Sequence, residues 1–409
     1  MLCCGTWSID MHRFVFAATW LMFGPPSFEN EIYNGSHLKD ARSFLDVVHA
    51  ALLSSRDELS LTWILHRSTL LQCSEPRDRV FGLLGLLKLF KKRRPSPAIL
   101  APDYTKSVAD VYCDATRACI GECDGPWLLD MFGYERGSDN KIADLPTWVP
   151  NWYAQSDGAT VLPTDEALWA HKREATETPL VSATQTGKVL SIRGVVLDTI
   201  SKHSDASITT DIRTSYAFIT NALQLLSNEE MPVGIESIGR ERLGELEHVL
   251  GAGRPDASVI RRWLKFVRFL TPDQEPLTNE VLGLTTQSPE PSGLHDTQDE
   301  DLAGSPPEAQ DTILGTGKSF QRAVEYCYAR KVFMTQSGRL GIGPEALRDG
   351  DIIAVSKLSQ WPMVLRHAEN SEPDHYTVLG AAYIEDIRSG EEILTAADEG
   401  DGIGTMHLV

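Results

Sequence analysis

Between Pro272 and Thr312 the chain carries ten acidic residues and neither lysine nor arginine, set among repeated Pro, Ser, Thr and Gly. Such a stretch buries too little apolar surface to offset the entropy of ordering it, so it reads as a disordered acidic insertion. Any fold must therefore be assembled from the sequence on either side of it. Those flanks are rich enough: the 409 residues are 42% hydrophobic, which supports a sizeable core and two or three structural units. The insertion supplies more than half of the formal charge of -19, and that charge argues against a general nucleic-acid binder, whose phosphate contacts need a basic face. Seven cysteines without a framework spacing read as reduced intracellular thiols. No apolar run approaches the roughly 18 residues of a membrane span. The apolar run Phe14–Phe23 is punctuated as a helix, with Asp10 before it and Gly24 after it, rather than as a secretory signal.

Before residue 125 the periodicity is helical. Residues 10–23, 41–54 and 57–71 read as helices, the third with a stripe of Leu59, Trp63, Arg67 and Leu70. Pro76 suits the first turn of another helix, which would send Val80, Phe81, Leu83, Leu84 and Leu87 to the core. Thr105 is placed to cap the next, with Val108, Val111, Tyr112, Ala115 and Cys119 on one face. Leu145–Trp152 contains two prolines and reads as an extended strap clamped by Trp148 and Trp152. Strands follow within Val189–Ile200, then helices over 213–227 and 256–270. After the insertion, Ser319–Arg330 reads as a helix leading into a hairpin of Lys331–Gln336 and Arg339–Ile342 around Ser337-Gly338. Asp351–Ser356, Met363–Arg366 and Tyr376–Tyr383 complete a small antiparallel β-unit.

Three segments stand in a fixed order: Pro76-Arg77-Asp78-Arg79-Val80-Phe81-Gly82-Leu83-Leu84-Gly85-Leu86, then Pro102-Asp103-Tyr104-Thr105-Lys106-Ser107-Val108, then Leu145-Pro146-Thr147-Trp148-Val149-Pro150-Asn151-Trp152. A closing block follows in register: Phe333-Met334-Thr335, Gly338-Arg339-Leu340-Gly341-Ile342-Gly343-Pro344, Gly350-Asp351, Pro362-Met363-Val364-Leu365-Arg366 and Tyr383. In this order and spacing the chain resembles the fungal heterokaryon incompatibility (HET) domain proteins, which are associated with programmed death of genetically different fused cells. Cys4-Gly5-Thr6 and the sequence after it resemble the segment following the family's Trp-x-x-Gln-Glu motif. The resemblance covers most of the chain outside the acidic insertion.

The family's N-terminal motifs, Tyr-x-x-Leu-Ser-Tyr-x-Trp-Gly, Trp-Ile-Asp with Cys-Ile-Asn-Gln, and Trp-x-x-Gln-Glu, have no counterpart here. That region resembles the Toll/interleukin-receptor fold, some members of which cleave NAD, so the resemblance transfers no catalytic residue to this chain. The expectation is a chain lacking most of the N-terminal HET domain. Near the end, the family's Gly-Glu before the last tyrosine gives way to Gly380-Ala381-Ala382 before Tyr383, which implies relaxed constraint or a shifted surface role.

Other chemistry is weaker. Gly315-Thr316-Gly317-Lys318-Ser319 has Thr312 where a phosphate-binding loop needs glycine, and reads as a linker. Cys113, Cys119 and Cys123 lack zinc spacing, and His66 with Cys73 on consecutive helical turns does not make a nucleophile pair; all read as structural. Lys91–Arg94 reads as a solvated basic loop, with a nuclear address as the alternative. The basic helix of Arg261, Arg262, Lys265 and Arg268 reads as docked internally with its charges in water, a membrane or partner surface being the alternative. Arg77, Asp78 and Arg79 open an otherwise apolar helix; Asp78 suits the helix dipole, and an arginine is expected to fork onto a carboxylate or onto neighbouring carbonyls.

The fold class expected is α+β: a mainly helical N-terminal half, a β-rich region, and a small C-terminal antiparallel β-unit, interrupted by the acidic loop. The regions expected are 1–152, 153–271, 272–312 and 313–409. The function expected is that of a noncatalytic regulatory or interaction protein of the incompatibility class, cytoplasmic, needing no cofactor or metal and binding protein partners rather than nucleic acid. Arg77, Asp78, Arg79, Trp148 and Trp152 are the structural or partner motif, and the strap and the edge of the C-terminal β-unit are the expected contact surfaces. The alternative is a hydrolase or NAD-cleaving enzyme whose effector domain is absent or truncated in this chain.

Overall fold

A computed structural model describes residues 2–4, 7–9, 61–68, 73–90, 100–121, 142–153, 187–205, 207–208, 214–227, 240–252, 259–260, 262, 324–356, 358–359, 361–369, 372–385, 387 and 403–409. The predicted helices over 10–23 and 41–54, the acidic insertion, Lys91–Arg94 and Gly315–Ser319 lie outside the described residues. The chain divides into two compact units, with the change at Leu190/Ser191.

In the first unit, β1 (Leu2–Cys4) and β2 (Trp7–Ile9) pair antiparallel, where the sequence reading had no strands. Three helices pack on one another: α1 (Leu61–Ser68), α2 (Asp78–Phe90) and α3 (Val108–Gly121). In α1 the residues Leu61, Ile64, Leu65 and Ser68 are buried, at helical steps of three and four, while the predicted stripe of Leu59, Trp63, Arg67 and Leu70 lies outside the described side chains. In α2, Val80, Phe81 and Leu84 are buried as expected. The cap of α3 is Ser107 rather than Thr105. Ser107 Oγ accepts from the Asp110 N–H at 3.1 Å and donates to the Asp110 carboxylate at 2.6 Å. Thr105 is occupied instead with Asp103, to which its hydroxyl donates at 2.6 Å. Nine of the fourteen residues of α3 are buried, Cys113 and Cys119 among them although these two stand on different sides of the helix.

The second unit is built on β3 (Leu190–His203), β4 (Arg330–Thr335), β5 (Leu340–Pro344), β6 (Ile352–Ser356), β7 (Met363–His367), β8 (His375–Ala381), β9 (Tyr383–Ile384) and β10 (Gly404–Leu408). They make one eight-stranded sheet in the order β10-β8-β7-β6-β3-β4-β5-β9. The sheet is mixed, because β10 joins β8 in parallel while the pairings among β3 to β9 are antiparallel. The C-terminal β-unit is thus larger than expected and takes in β3, from the far side of the acidic stretch.

Two features curl this sheet toward a barrel. Strand β3 pairs with β6 through Gly194–Thr199 and with β4 through Ile200–His203, with register shifts at Val196/Asp198 and Ile200/Lys202. Bulges of this kind bend and twist a strand, letting one strand serve both halves of the sheet. Strand β8 likewise runs on through Ala382 into β9, which pairs with β5, so the chain that bonds β7 also closes on the other half. Inside lie Ile200, Phe333, Leu347, Ile353, Val364, Leu379, Ala382, Ile384 and Ile387. The alternation of a strand separates two cores: Phe333 points inward, while Val332, Leu340 and Ile342 meet a helical layer. That layer is α4 (Thr214–Ser227) and α5 (Arg240–Leu250), which bury Phe218, Ile219, Leu223, Leu246, Val249 and Leu250.

Ser319–Arg330 is not a helix up to its predicted end. Its described part holds a single 3-10 turn, Glu325–Cys327, after which Tyr328 is extended. Ala329 takes a left-handed φ of 52°, and Arg330 already belongs to β4. The competing interaction is tertiary: Tyr328 bridges to Ile208, and the Ala329 N–H donates to the Ile208 carbonyl at 2.9 Å. Ala381 and Ala382 are both buried, so the position where the family carries glutamate faces the interior here rather than the surface.

Candidate functional site

The segments Pro76–Leu86 and Pro102–Val108 meet at Arg77. Its Nε and NH2 fork onto Glu75 at 2.7 and 3.2 Å, and NH1 donates to the carbonyls of Tyr104 and Lys106, the latter at 3.0 Å. Its guanidinium lies 5.5 Å from the Tyr104 ring centroid. The bonds with Glu75 raise the Arg77 pKa and lower that of Glu75. Asp78, in the first turn of α2, accepts the Tyr104 hydroxyl, and that bond raises the Tyr104 pKa. The Phe81 ring meets Tyr104 edge-on at 5.1 Å. Nearby, the Tyr112 hydroxyl donates to the Pro76 carbonyl at 2.8 Å, and Lys106 pairs with Asp114 at 2.7 Å. Tyr104 is held from several sides yet is 53% exposed, so it presents an immobilised aromatic ring to the outside.

Arg79 turns the other way. It is buried, and its NH1 donates to the carbonyl of Ser68 at the end of α1. A guanidinium at a helix C-terminus satisfies a carbonyl that lost its own partner and complements the dipole. The three charges at the start of α2 therefore divide their tasks: Arg77 and Asp78 organise the surface around Tyr104, and Arg79 ties α2 to α1.

Trp148 and Trp152 are 0% and 1% exposed. Trp148 Nε1 donates to the Lys188 carbonyl at 2.8 Å, and its ring carries the Arg117 guanidinium 4.9 Å from the centroid. Arg117 also donates to the Gly187 carbonyl. Trp152 Nε1 finds no acceptor among the described residues. The strap is not extended throughout: the Val149 N–H donates to the Pro146 carbonyl at 3.1 Å, making a turn. Rings buried this deeply offer nothing to a partner, so the contact surface expected of the strap does not include them.

In the second unit the closing motifs are structural. Gly338 takes φ 87° in the β4–β5 turn, where Ser337 donates to Asp198 and Arg242 NH1 donates to the Gly338 carbonyl at 3.1 Å. Burial pushes the Asp198 carboxyl up, but bonds from Ser337, Thr199 and Thr335 outweigh it and leave its pKa lowered. Gly341 and Gly343 make room for the Phe333 ring, which a Cβ at either position would crowd. Asp351 and Arg366 form a bidentate ion pair. Strand β10 pairs with β3 as well as β8, so the sheet lacks the free edge there that would serve as a contact surface. Among the described residues no group of three His, Cys, Asp or Glu is arranged to hold a metal ion.

Sequence reasoning set Tyr104 and Lys106 in the second motif but gave neither them nor Glu75 a place at the site. The available signal was an aromatic residue in a polar loop beside Pro102, but its partner Arg77 lies 27 residues away and only packing joins them.

A helical unit and a curled, mostly antiparallel sheet with helices on one face define an α+β protein with a barrel-like domain. Residues 306–401, which hold β4 through β9, match the Het-6 beta-barrel domain family. The chain is also 22% identical over 359 residues to heterokaryon incompatibility protein 6, OR allele, of Neurospora crassa, an alignment covering 79% of this chain and 50% of that protein. The chain thus spans half the length of the curated relative it matches. No solved structure matches. The barrel-domain match and this similarity agree with the family that the chain's motifs resemble.

Proposed function

We propose that this chain is a noncatalytic regulatory or interaction protein of fungal heterokaryon incompatibility, working in the cytoplasm through protein partners in non-self recognition and the cell death that follows. The similarity to an incompatibility protein of Neurospora crassa supports the process. The observation that carries the interaction reading is Tyr104, 53% exposed and immobilised by Arg77, Asp78 and Phe81. Tyrosine and arginine dominate binding hot spots, and a ring already fixed loses little freedom when a partner covers it. Within each unit, other polar side chains that carry the family resemblance are engaged in holding the fold, as Arg79 on Ser68 and Arg366 on Asp351 are.

The test is expression of the chain, and of Tyr104→Ala, in fungal strains that differ in incompatibility type, scoring death of fused cells and the proteins captured with each form. The reading expects Tyr104→Ala to lose both the partner and the phenotype while the protein stays folded. Turnover of NAD, or of ester or phosphoryl substrates, by the purified chain would replace it with the enzymatic reading.

A further inference from the structure

Strand β10 sits between β8 and β3 and bonds to both. Its register on β8 sets His407 opposite His375 and Leu408 opposite Tyr376. The N–H groups of His407 and Val409 donate to the carbonyls of Asp374 and Tyr376, each at 2.9 Å. The seat is specific as well as hydrogen-bonded. Met406 occupies a notch at Gly194, where any Cβ would collide with the Met406 methyl group and with the Val355 carbonyl oxygen at 2.5 Å. His407 Nδ1 shares a 2.7 Å hydrogen bond with Ser191 Oγ, and its ring stacks on His375 at 5.0 Å. Leu408 is fully buried.

The strand is lightly held for one that completes a sheet. All five residues of β6 are buried, whereas β10 buries only Met406 and Leu408. Its pairing with β8 is parallel, the slightly weaker arrangement. The residues matching the family's barrel domain end at 401, before β10, and begin after β3, so β10 and one wall of its seat lie outside the shared domain while β8 lies within it. Residues 388–402 join it to the rest of the barrel, a length that reaches about 50 Å when extended.

We propose that the seam between β3 and β8 is a strand-acceptor site, and that residues 403–409 of a second copy of this chain occupy it in an exchanged dimer. The second copy is favoured over a foreign strand because the seat reads side chains in sequence: the Gly194 notch takes Met406, Ser191 and His375 take His407, and the interior takes Leu408. A second copy brings that order unchanged. Exchange of identical elements keeps every such contact and alters only the connector, so the balance follows concentration and connector length. This inference goes beyond the partner reading at Tyr104 and does not depend on it.

The test uses full-length chains. Ser191→Cys in one preparation and His407→Cys in another are mixed at high concentration and oxidised. Exchange predicts a disulfide-linked dimer from the mixture that neither variant forms alone. Monomer only, with the double variant closing on itself, would overturn the proposal. Shortening 388–402 by about six residues should raise the dimer share roughly tenfold at fixed concentration, and no change would likewise overturn it. If the cysteine variants do not fold, two differently tagged wild-type chains decide. Co-capture that excess peptide 403–409 abolishes supports exchange, and no co-capture, or co-capture indifferent to the peptide, refutes it.

Discussion

Arg366 on β7 grips Asp351, just ahead of β6, through two bonds: Nε to Oδ1 at 2.7 Å and NH2 to Oδ2 at 2.8 Å. The same carboxylate accepts the Arg348 N–H at 2.7 Å, and Arg366 NH2 also donates to the Ala346 carbonyl at 2.9 Å. One pair thus fixes the loop that enters β6 against the neighbouring strand. The two partners differ in access to water, the Asp351 side chain being 3% exposed and that of Arg366 27%.

That asymmetry orders two substitutions. Arg366→Met strands a buried carboxylate and should cost about 3–5 kcal/mol, as loss of one partner of a buried pair does. Asp351→Ala leaves an arginine that still reaches water and should cost less. Urea unfolding of the full chain measures both, and equal losses would contradict the ordering.

Glycines in the chain should respond to alanine with opposite signs. At Gly341 a Cβ would press into the Phe333 ring and stand 2.8 Å from the Tyr383 carbonyl oxygen, which is backbone and cannot turn aside. Gly341→Ala should therefore lose about 1–3 kcal/mol. Gly244 lies within α5 with nothing within 4 Å of the new methyl group, so Gly244→Ala should gain about 0.5–1 kcal/mol. Thermal unfolding of the two variants separates steric refusal from helix propensity.

Burial pushes the Cys113 thiol up from 9.0 to about 11. In the unfolded chain this thiol loses its proton first, so between those values the unfolded state binds fewer protons and stability falls as pH rises. The loss attributable to Cys113 approaches about 2–3 kcal/mol by the upper end of that window and is absent below the lower end. Cys113→Ala should flatten that part of the stability profile, while Tyr376, raised by burial, keeps some slope above pH 10. Alkylation at pH 8 should modify half-exposed Cys73 well before Cys113.

Arg77→Lys keeps the charge but gives up the planar fork that serves Glu75 and two carbonyls together. Hydrogen exchange across 102–107 should quicken while α3 keeps its protection. Unchanged exchange there would mean that Arg77 does not hold Tyr104 in place.

The helices of the first unit were legible because apolar spacing is local: Val80, Phe81 and Leu84 in α2, and Val111, Tyr112, Ala115 and Cys119 in α3, are buried as their periodicity requires. The β4–β5 hairpin was legible for a similar reason, since Gly338 accepts a left-handed φ in the turn between two apolar runs. Local signals misled where another bond competes, near in the chain or far. Thr105 yields the cap to Ser107 because Asp103 engages its hydroxyl, and the predicted helix into Arg330 gives way because Ile208 bonds the backbone of Ala329.

By itself the sequence determined where helices and strands can form and which residues can be buried, because propensity, capping and alternation act over a few neighbours. The family resemblance was likewise carried in the order of its motifs. Only the tertiary structure decided what those residues do together. Arg77 reaches Tyr104, Arg366 reaches Asp351, and β3 closes with β6, β4 and β10 across more than a hundred residues of chain. Such pairings rest on shape and hydrogen-bond geometry between distant segments, and no spacing along the chain records them.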